Sequence, residues 1–321
     1  MAPPNAGLTL AESKLLSLEA LSALHEQGAK RMQFLEKLLW VRISGDCWRM
    51  ARILGQLMGA DPDFDTVPVA TGDGTASPQG PPQPCYELKL LVQDIYVRDR
   101  VRWNVSAIYD QLEIQVWAAI RRFLYTFVDA FFNGSQFNPG QPDGLDRLIR
   151  NRLFPNDMVN GFLALEDLAR VFAVIACDRT RGPIIGCVSA LGWKNILKAY
   201  YDRGINPPIV FMEFWDDNGY LATHPILCFE GVPIFIVDQI RDNQQLGPFN
   251  DATAIYFFQQ GPGGVYAITG TPEGKPRIEM REALDAAESV TCFRLVWSVG
   301  VVLEADSGAA LLLFRPQPGT Q

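Results

Sequence analysis

The sequence predicts an α+β fold, and three observations carry that prediction. Apolar residues recur at helical spacing in the first half, most clearly as Ile108, Leu112, Val116, Ile120, Phe123, Phe127 and Phe131. Strand-like segments crowd the second half, at Ile209–Trp215, Val232–Val237, Ala254–Phe258, Val265–Ile268 and a long run from Ser289 to Glu304. The chain has room for both. Its 321 residues allow about two domains at a typical ~150 each, and 48% hydrophobic residues suffice for more than one core.

From Glu12 to Trp40 the residues Leu15, Leu18, Leu21, Leu24, Met32, Leu35, Leu38 and Leu39 recur every three or four positions, which predicts an N-terminal helix or two with a break at Gly28. Between Gly59 and Pro84 lie six prolines and four glycines, a density that no helix or central strand tolerates. Residues 55–84 therefore read as a long extended loop, and such length points to a function. Tyr86 to Asn104 returns as a long strand, with Ile95, Val97, Val101 and Trp103 on one parity and Arg98, Arg100 and Arg102 on the other.

Ser106 is placed to N-cap the next helix, which runs to about Phe132, some 40 Å at ~1.5 Å per residue. Asn133-Gly134 should stop it by adopting the left-handed conformation of a C-cap. Arg121 and Arg122 interrupt the apolar series and should face outward. A short helix follows in residues 142–154, another in 163–179, and a strand followed by a helix in 183–204. Asp216-Asp217-Asn218-Gly219 and Gly261-Pro262-Gly263-Gly264 read as turns between strands. No internal repeat is visible.

The inventory for chemistry is thin. Only His25 and His224 could serve a zinc site or a hydrolytic triad, and both read as structural, His25 on a helical polar face and His224 in a turn before Pro225. No phosphate-binding loop and no nucleophile elbow occurs, and Pro262 stands where a dinucleotide loop needs a free N–H. The six cysteines, Cys47, Cys85, Cys177, Cys187, Cys228 and Cys292, lie far apart and read as buried thiols. No catalytic, cofactor-binding or metal-binding residue is assigned. A net charge of −8 disfavours nucleic acid and anionic membrane as partners over most of the surface. The first residues lack the basic and apolar regions of a secretory signal, so a cytosolic chain is expected.

Six stretches, in order across residues 43–313, resemble the tailed-bacteriophage major capsid protein family, whose fold is shared with encapsulin shells. The long helix with Gln111-Leu112-Glu113-Ile114-Gln115 and its exit AFFNGSQFNPGQPDGLDRLI looks like the family's spine helix followed by an Asn-Gly turn. Leu165-Glu166-Asp167-Leu168 resembles the next helix, and Pro183 to Gly204 the strand and helix after it. FEGVPIFIVDQI, the two-strand hairpin pattern ATAIYFFQQGPGGVYAI and the closing strand FRLVWSVGVVLEADSGAALL complete the series. In the hairpin pattern, Phe258 or Gln259 stands where the family has its first glycine.

The resemblance implies a Hong Kong 97-type capsid fold. Residues 1–43 would be the N-terminal arm or helix and 44–104 the extended loop with its strands, 105–154 and 286–321 the peripheral domain with the spine helix, and 155–285 the axial domain with a mixed sheet. It implies a non-enzymatic major capsid subunit forming hexamers and pentamers around double-stranded DNA, assembled in the host cytoplasm and located in the virion. The partners implied are other copies of the chain, a separate scaffolding protein, a portal and a decoration protein, with no membrane and no sequence-specific DNA contact. About 45 residues precede the arm, fewer than the removable scaffolding segment of some relatives, so either a separate scaffold is used or the chain was already trimmed, and the start at Met1 favours a separate scaffold. Arm cross-linking does not carry over, since Lys89 is the one lysine between Ile43 and Gly134 and no motif marks a partner. An encapsulin-type compartment is the alternative, and an α+β enzyme with a site not visible in the sequence is a third.

Overall fold

A computed structural model describes residues 33–43, 47–49, 85–98, 108–138, 140–157, 159–175, 182–215, 221–270, 277–285 and 288–317. The extended loop 55–84, His25, Ser106, Asp216-Asp217 and most of the N-terminal helical segment lie outside these residues. The described elements are α1 (Gln33–Lys37), β1 (Trp40–Arg42), β2 (Cys47–Arg49), β3 (Cys85–Glu87), β4 (Lys89–Arg98), α2 (Ile108–Asn133), α3 (Leu145–Leu148), β5 (Arg152–Leu153), α4 (Leu165–Ile175), β6 (Ile184–Val188) and α5 (Ala190–Asp202). Next come β7 (Ile209–Trp215), β8 (Leu221–Phe229), β9 (Val232–Ile236), β10 (Gln244–Leu246), β11 (Phe249–Gln259), β12 (Val265–Thr269), β13 (Arg277–Asp285), β14 (Glu288–Leu303) and β15 (Ala309–Phe314).

Two large sheets organise the described residues, beside a two-stranded antiparallel pair of β2 and β3. In the five-stranded sheet the order is β1-β12-β14-β13, with β4 on the other side of β14. The eight-stranded sheet runs β5-β15-β11-β6-β9-β8-β7, with β10 paired to the start of β11. It is mixed: β6–β9 and β15–β5 are parallel, and the other pairings are antiparallel.

The period of two along each strand distributes side chains among three cores. Tyr256 and Phe258 of β11, Leu311 and Leu313 of β15, and Val265 and Ala267 of β12 enter a central core with α1 and α2. Trp297, Val299, Val301 and Leu303 of β14 join it. On the opposite face of the eight-stranded sheet, Ile255, Phe257, Leu312 and Phe314 pack against Leu168, Val171 and Phe172 of α4 and Ile196 and Tyr200 of α5. Behind the five-stranded sheet, Tyr266, Ile268 and Val302 meet Ile43 and Tyr86.

Several readings are refined by tertiary contacts. The pattern ATAIYFFQQGPGGVYAI does form two strands, but β11 and β12 belong to different sheets rather than to one hairpin. Gly261 and Gly263, at φ 99° and 77°, make the turn that sends the chain across. His224 and Pro225 lie inside β8, not in a turn. The Cys228 N–H donates to the Pro208 carbonyl at 2.9 Å, so even-numbered residues of β8 direct their backbone groups at β7. Pro225 therefore turns its nitrogen towards β9, which pairs with β8 only from Leu227 to Phe229.

The long helix ends after Asn133, but Gly134 does not adopt the left-handed conformation. Glycine is required there by proximity: a Cβ would lie 2.3 Å from the Ala130 carbonyl oxygen and 2.4 Å from that of Pro142. The returning chain closes the contact, with Gly144 N–H donating to the Gly134 carbonyl at 3.0 Å.

Candidate assembly surfaces

The long helix α2 is the platform on which the outer surface rests. Phe127 packs in tilted contacts against Trp297 of β14 at 4.8 Å between ring centres and Trp40 of β1 at 5.2 Å, and Phe123 stacks on Trp297 at 5.9 Å. Ile120, Phe123, Phe127 and Phe131 are buried, as their spacing predicted, and Arg121 and Arg122 are exposed. The side chains of Ile108, Leu112 and Val116 lie outside the described residues. On the exposed face the Arg121 guanidinium donates to the Tyr125 hydroxyl at 2.9 Å and sits 5.3 Å from its ring. Asn133 donates to the Asp129 carboxylate at 2.8 Å and the Gln239 carbonyl at 2.7 Å. Between them runs a shallow groove of about 540 Å³, lined by Arg121, Arg122, Tyr125, Thr126, Asp129 and Gln239.

Where the two sheets meet, Glu304 holds two crossings together. Its buried carboxylate accepts from the Gly263 N–H and, at 2.6 Å, from the Tyr266 hydroxyl. The second crossing, from β14 to β15, passes at Gly308, where a Cβ would fall 2.3 Å from the Gly263 carbonyl oxygen. Tyr86 adds a hydroxyl donated to the Leu303 carbonyl. A carboxylate with two donors and two glycine-lined turns makes a rigid joint between the sheets.

On the helix-covered face, Glu166 of α4 pairs with Arg203 after α5. Its carboxyl is held below the ordinary glutamate value first by its own backbone N–H at the helix start and then by Arg203. The β7 end of the eight-stranded sheet is different in character. From the end of α5 into β7, Tyr201, Ile205, Ile209, Val210 and Phe211 are 61%, 50%, 49%, 48% and 70% exposed. A second hollow, about 450 Å³, lies near Lys37, Pro183, Met212, Glu230 and Phe235, and its walls are mostly apolar.

None of these places assembles an acid, a base and a nucleophile. His224 is half-buried, with its ring 6.1 Å from that of Phe214. Cys187 and Cys228 are buried free thiols, pushed up by burial and so far from the reactive thiolate form. Among the described residues no group of three or more His, Cys, Asp or Glu could hold a metal ion, and no helix is long and apolar enough to cross a membrane. Lys89 pairs with Glu87 at 2.5 Å. Sequence reasoning placed the helix face and the glycine turn. It did not find the Glu304 joint, whose sole signal is a lone acid at the end of an apolar strand, or the exposed patch, because Ile209-Val210-Phe211 reads equally as a buried strand.

No family model matches the chain, and no curated protein matches it. Solved structures do. The chain is similar to the SrpI encapsulin complex of Synechococcus elongatus PCC 7942 at a TM-score of 0.63 and 13% identity, over 88% of this chain and 86% of that one. It is similar to a virus-like particle from Pyrococcus furiosus at 0.53 and 15%, over 92% and 99%. It also resembles a structure of Microbacterium phage Oxtober96 at 0.54 and 12%, over 88% and 90%. The chain thus has the Hong Kong 97-type fold of phage capsids and encapsulins, in the α+β class expected from its sequence.

Proposed function

We propose that this chain is a structural shell subunit, the major capsid protein of a tailed phage, assembling as hexamers and pentamers around double-stranded DNA. The observation that carries the reading is the likeness of fold to an encapsulin, a virus-like particle and a phage structure, over 86–99% of those chains and 88–92% of this one. In this reading α2 and the five-stranded sheet are the peripheral domain and the eight-stranded sheet with α4 and α5 is the axial domain. On this reading, grouping by sheet puts β12 and β13 with the peripheral domain and β5 and β15 with the axial one, departing from the linear ranges 105–154, 155–285 and 286–321. Residues 44–104 supply the extended loop, and the chain has no catalytic role. A separate scaffold, a portal and a decoration protein complete the proposed set of partners, with assembly in the host cytoplasm.

An encapsulin-type compartment is the second reading, favoured by the higher TM-score of the encapsulin, 0.63 against 0.54 for the phage structure. Electron microscopy of the purified protein tests both. Closed particles support a shell, and a single 35.7 kDa species under assembly conditions overturns it. Nuclease-protected double-stranded DNA in particles from the native source separates phage from compartment.

A further inference from the structure

β7 closes the eight-stranded sheet, and among the described residues β8 is the one strand paired with it. The register runs from Ile209↔Leu227 to Trp215↔Leu221 without a shift. The Cys228–Pro208 bond continues that register, so Val210, Met212 and Phe214 exchange backbone bonds with β8. Ile209, Phe211, Glu213 and Trp215 consequently point their N–H and C=O groups away from the sheet.

Natural edges are usually blunted by short length, proline, lysine or a bulge. At the other end of this sheet β5 is 2 residues long. β7 has 7 residues, with no proline, lysine or bulge, and Glu213 is its one charge. The exposed apolar run from Tyr201 to Phe211 leads directly into this edge.

We infer that β7 is an intersubunit edge, extended in the assembled protein by a strand from a second copy of this chain. The inference rests on the shell reading and deepens it. A partner that satisfies outward N–H and C=O groups at 209, 211, 213 and 215 must itself present extended backbone, because only a strand matches that spacing. The apolar patch supplies area to go with the bonds. With ~200 Å² per aromatic side chain, Tyr201 and Phe211 offer about 260 Å² between them at their exposures, about a third of the ~800 Å² per partner of a stable interface. Ile205, Ile209 and Val210 add to it. A subunit with a shell fold meets its own copies at equal concentration and in fixed orientation, so a second copy is the occupant the edge favours.

Hydrogen exchange resolved to single amides, on unassembled subunits and on particles, tests this. The amides of Ile209, Phe211, Glu213 and Trp215 should exchange quickly in subunits and slow by at least ~10-fold in particles, while those of Val210, Met212 and Phe214 are protected in both. Particles in which the odd-numbered amides remain fast overturn the inference and leave the shell reading standing. Failure to form particles under any assembly condition overturns the shell reading, and this inference with it. Phe211→Pro gives a second readout, since it removes an outward N–H and no β7–β8 bond. Its subunits should keep the wild-type melting temperature and lose particle formation, whereas normal particle yield from such subunits counts against the strand. Should Phe211→Pro not fold, the exchange pattern of the unaltered chain decides.

Discussion

Replacing Phe127 by alanine tests the placement of the long helix against the five-stranded sheet. The ring is 1% exposed and is enclosed by Trp297, Trp40 and Phe131, at 4.8, 5.2 and 6.1 Å between centres. Its removal leaves ~100 Å³ unfilled, which costs about 2.4 kcal/mol at ~24 cal/mol per Å³, and forfeits about 2 kcal/mol of transfer free energy. Two indoles and a helix cannot collapse easily into the gap, so the full loss of about 4–5 kcal/mol is expected. That is a large share of the ~5–15 kcal/mol of a typical domain. Urea unfolding of unassembled subunits, followed by tryptophan fluorescence, measures it directly because Trp297 and Trp40 border the cavity. Arg122→Ala, on the exposed face, should change stability by no more than about 0.5 kcal/mol. A loss below about 1.5 kcal/mol for Phe127→Ala, or comparable losses for both variants, would refute the assigned face and with it the account of how helix and sheet form one platform.

Three further changes probe the joints. Glu304→Ala removes a buried acceptor from the Gly263 N–H and the Tyr266 hydroxyl and should cost about 3 kcal/mol in urea unfolding, with Glu304→Gln milder because one acceptor oxygen survives. Gly134→Ala forces a Cβ to 2.3 and 2.4 Å from two carbonyl oxygens, so about 2–3 kcal/mol of subunit stability should be lost, and a neutral result would mean that the turn 134–144 is arranged otherwise. The Glu166 carboxyl is depressed, so its contribution is present above the ordinary glutamate pKa and lost as pH falls through the lowered folded value. Melting temperature against pH should therefore show a shallower acid decline for Glu166→Gln than for the wild type, and identical slopes would remove the Arg203 pairing from the account.

Elements that depend on near neighbours in the chain were legible from the sequence. The series from Ile120 to Phe131 marks a helix face because residues three and four apart share one side, and Ile209–Trp215 reads as a strand from its β-branched and aromatic content. The glycines of Gly261-Pro262-Gly263-Gly264 announce a turn because only glycine reaches those angles freely. The ordered series of family-like stretches carried the Hong Kong 97-type fold, and the solved structures bear it out.

Which strands share a sheet was decided in three dimensions. β11 and β12 follow each other across a tight turn and still separate, because alternate side chains of each strand need different cores: Ile255 and Phe257 face α4 and α5, while Tyr266 and Ile268 face Ile43 and Tyr86. β8 was hidden by Pro225, a residue that argues against a strand until the pairing shows its nitrogen facing away from β7. Gly134 illustrates the same division, since the sequence marks a helix end there and only the return of Pro142 and Gly144 makes glycine obligatory. The sequence by itself determined the local conformations and the apolar faces, which are set by steric limits and periodicity over a few residues. The tertiary structure decided which of those faces are covered, leaving the edge of β7 open among the described residues and closing Glu304 inside, because burial depends on segments that meet from tens to hundreds of residues away.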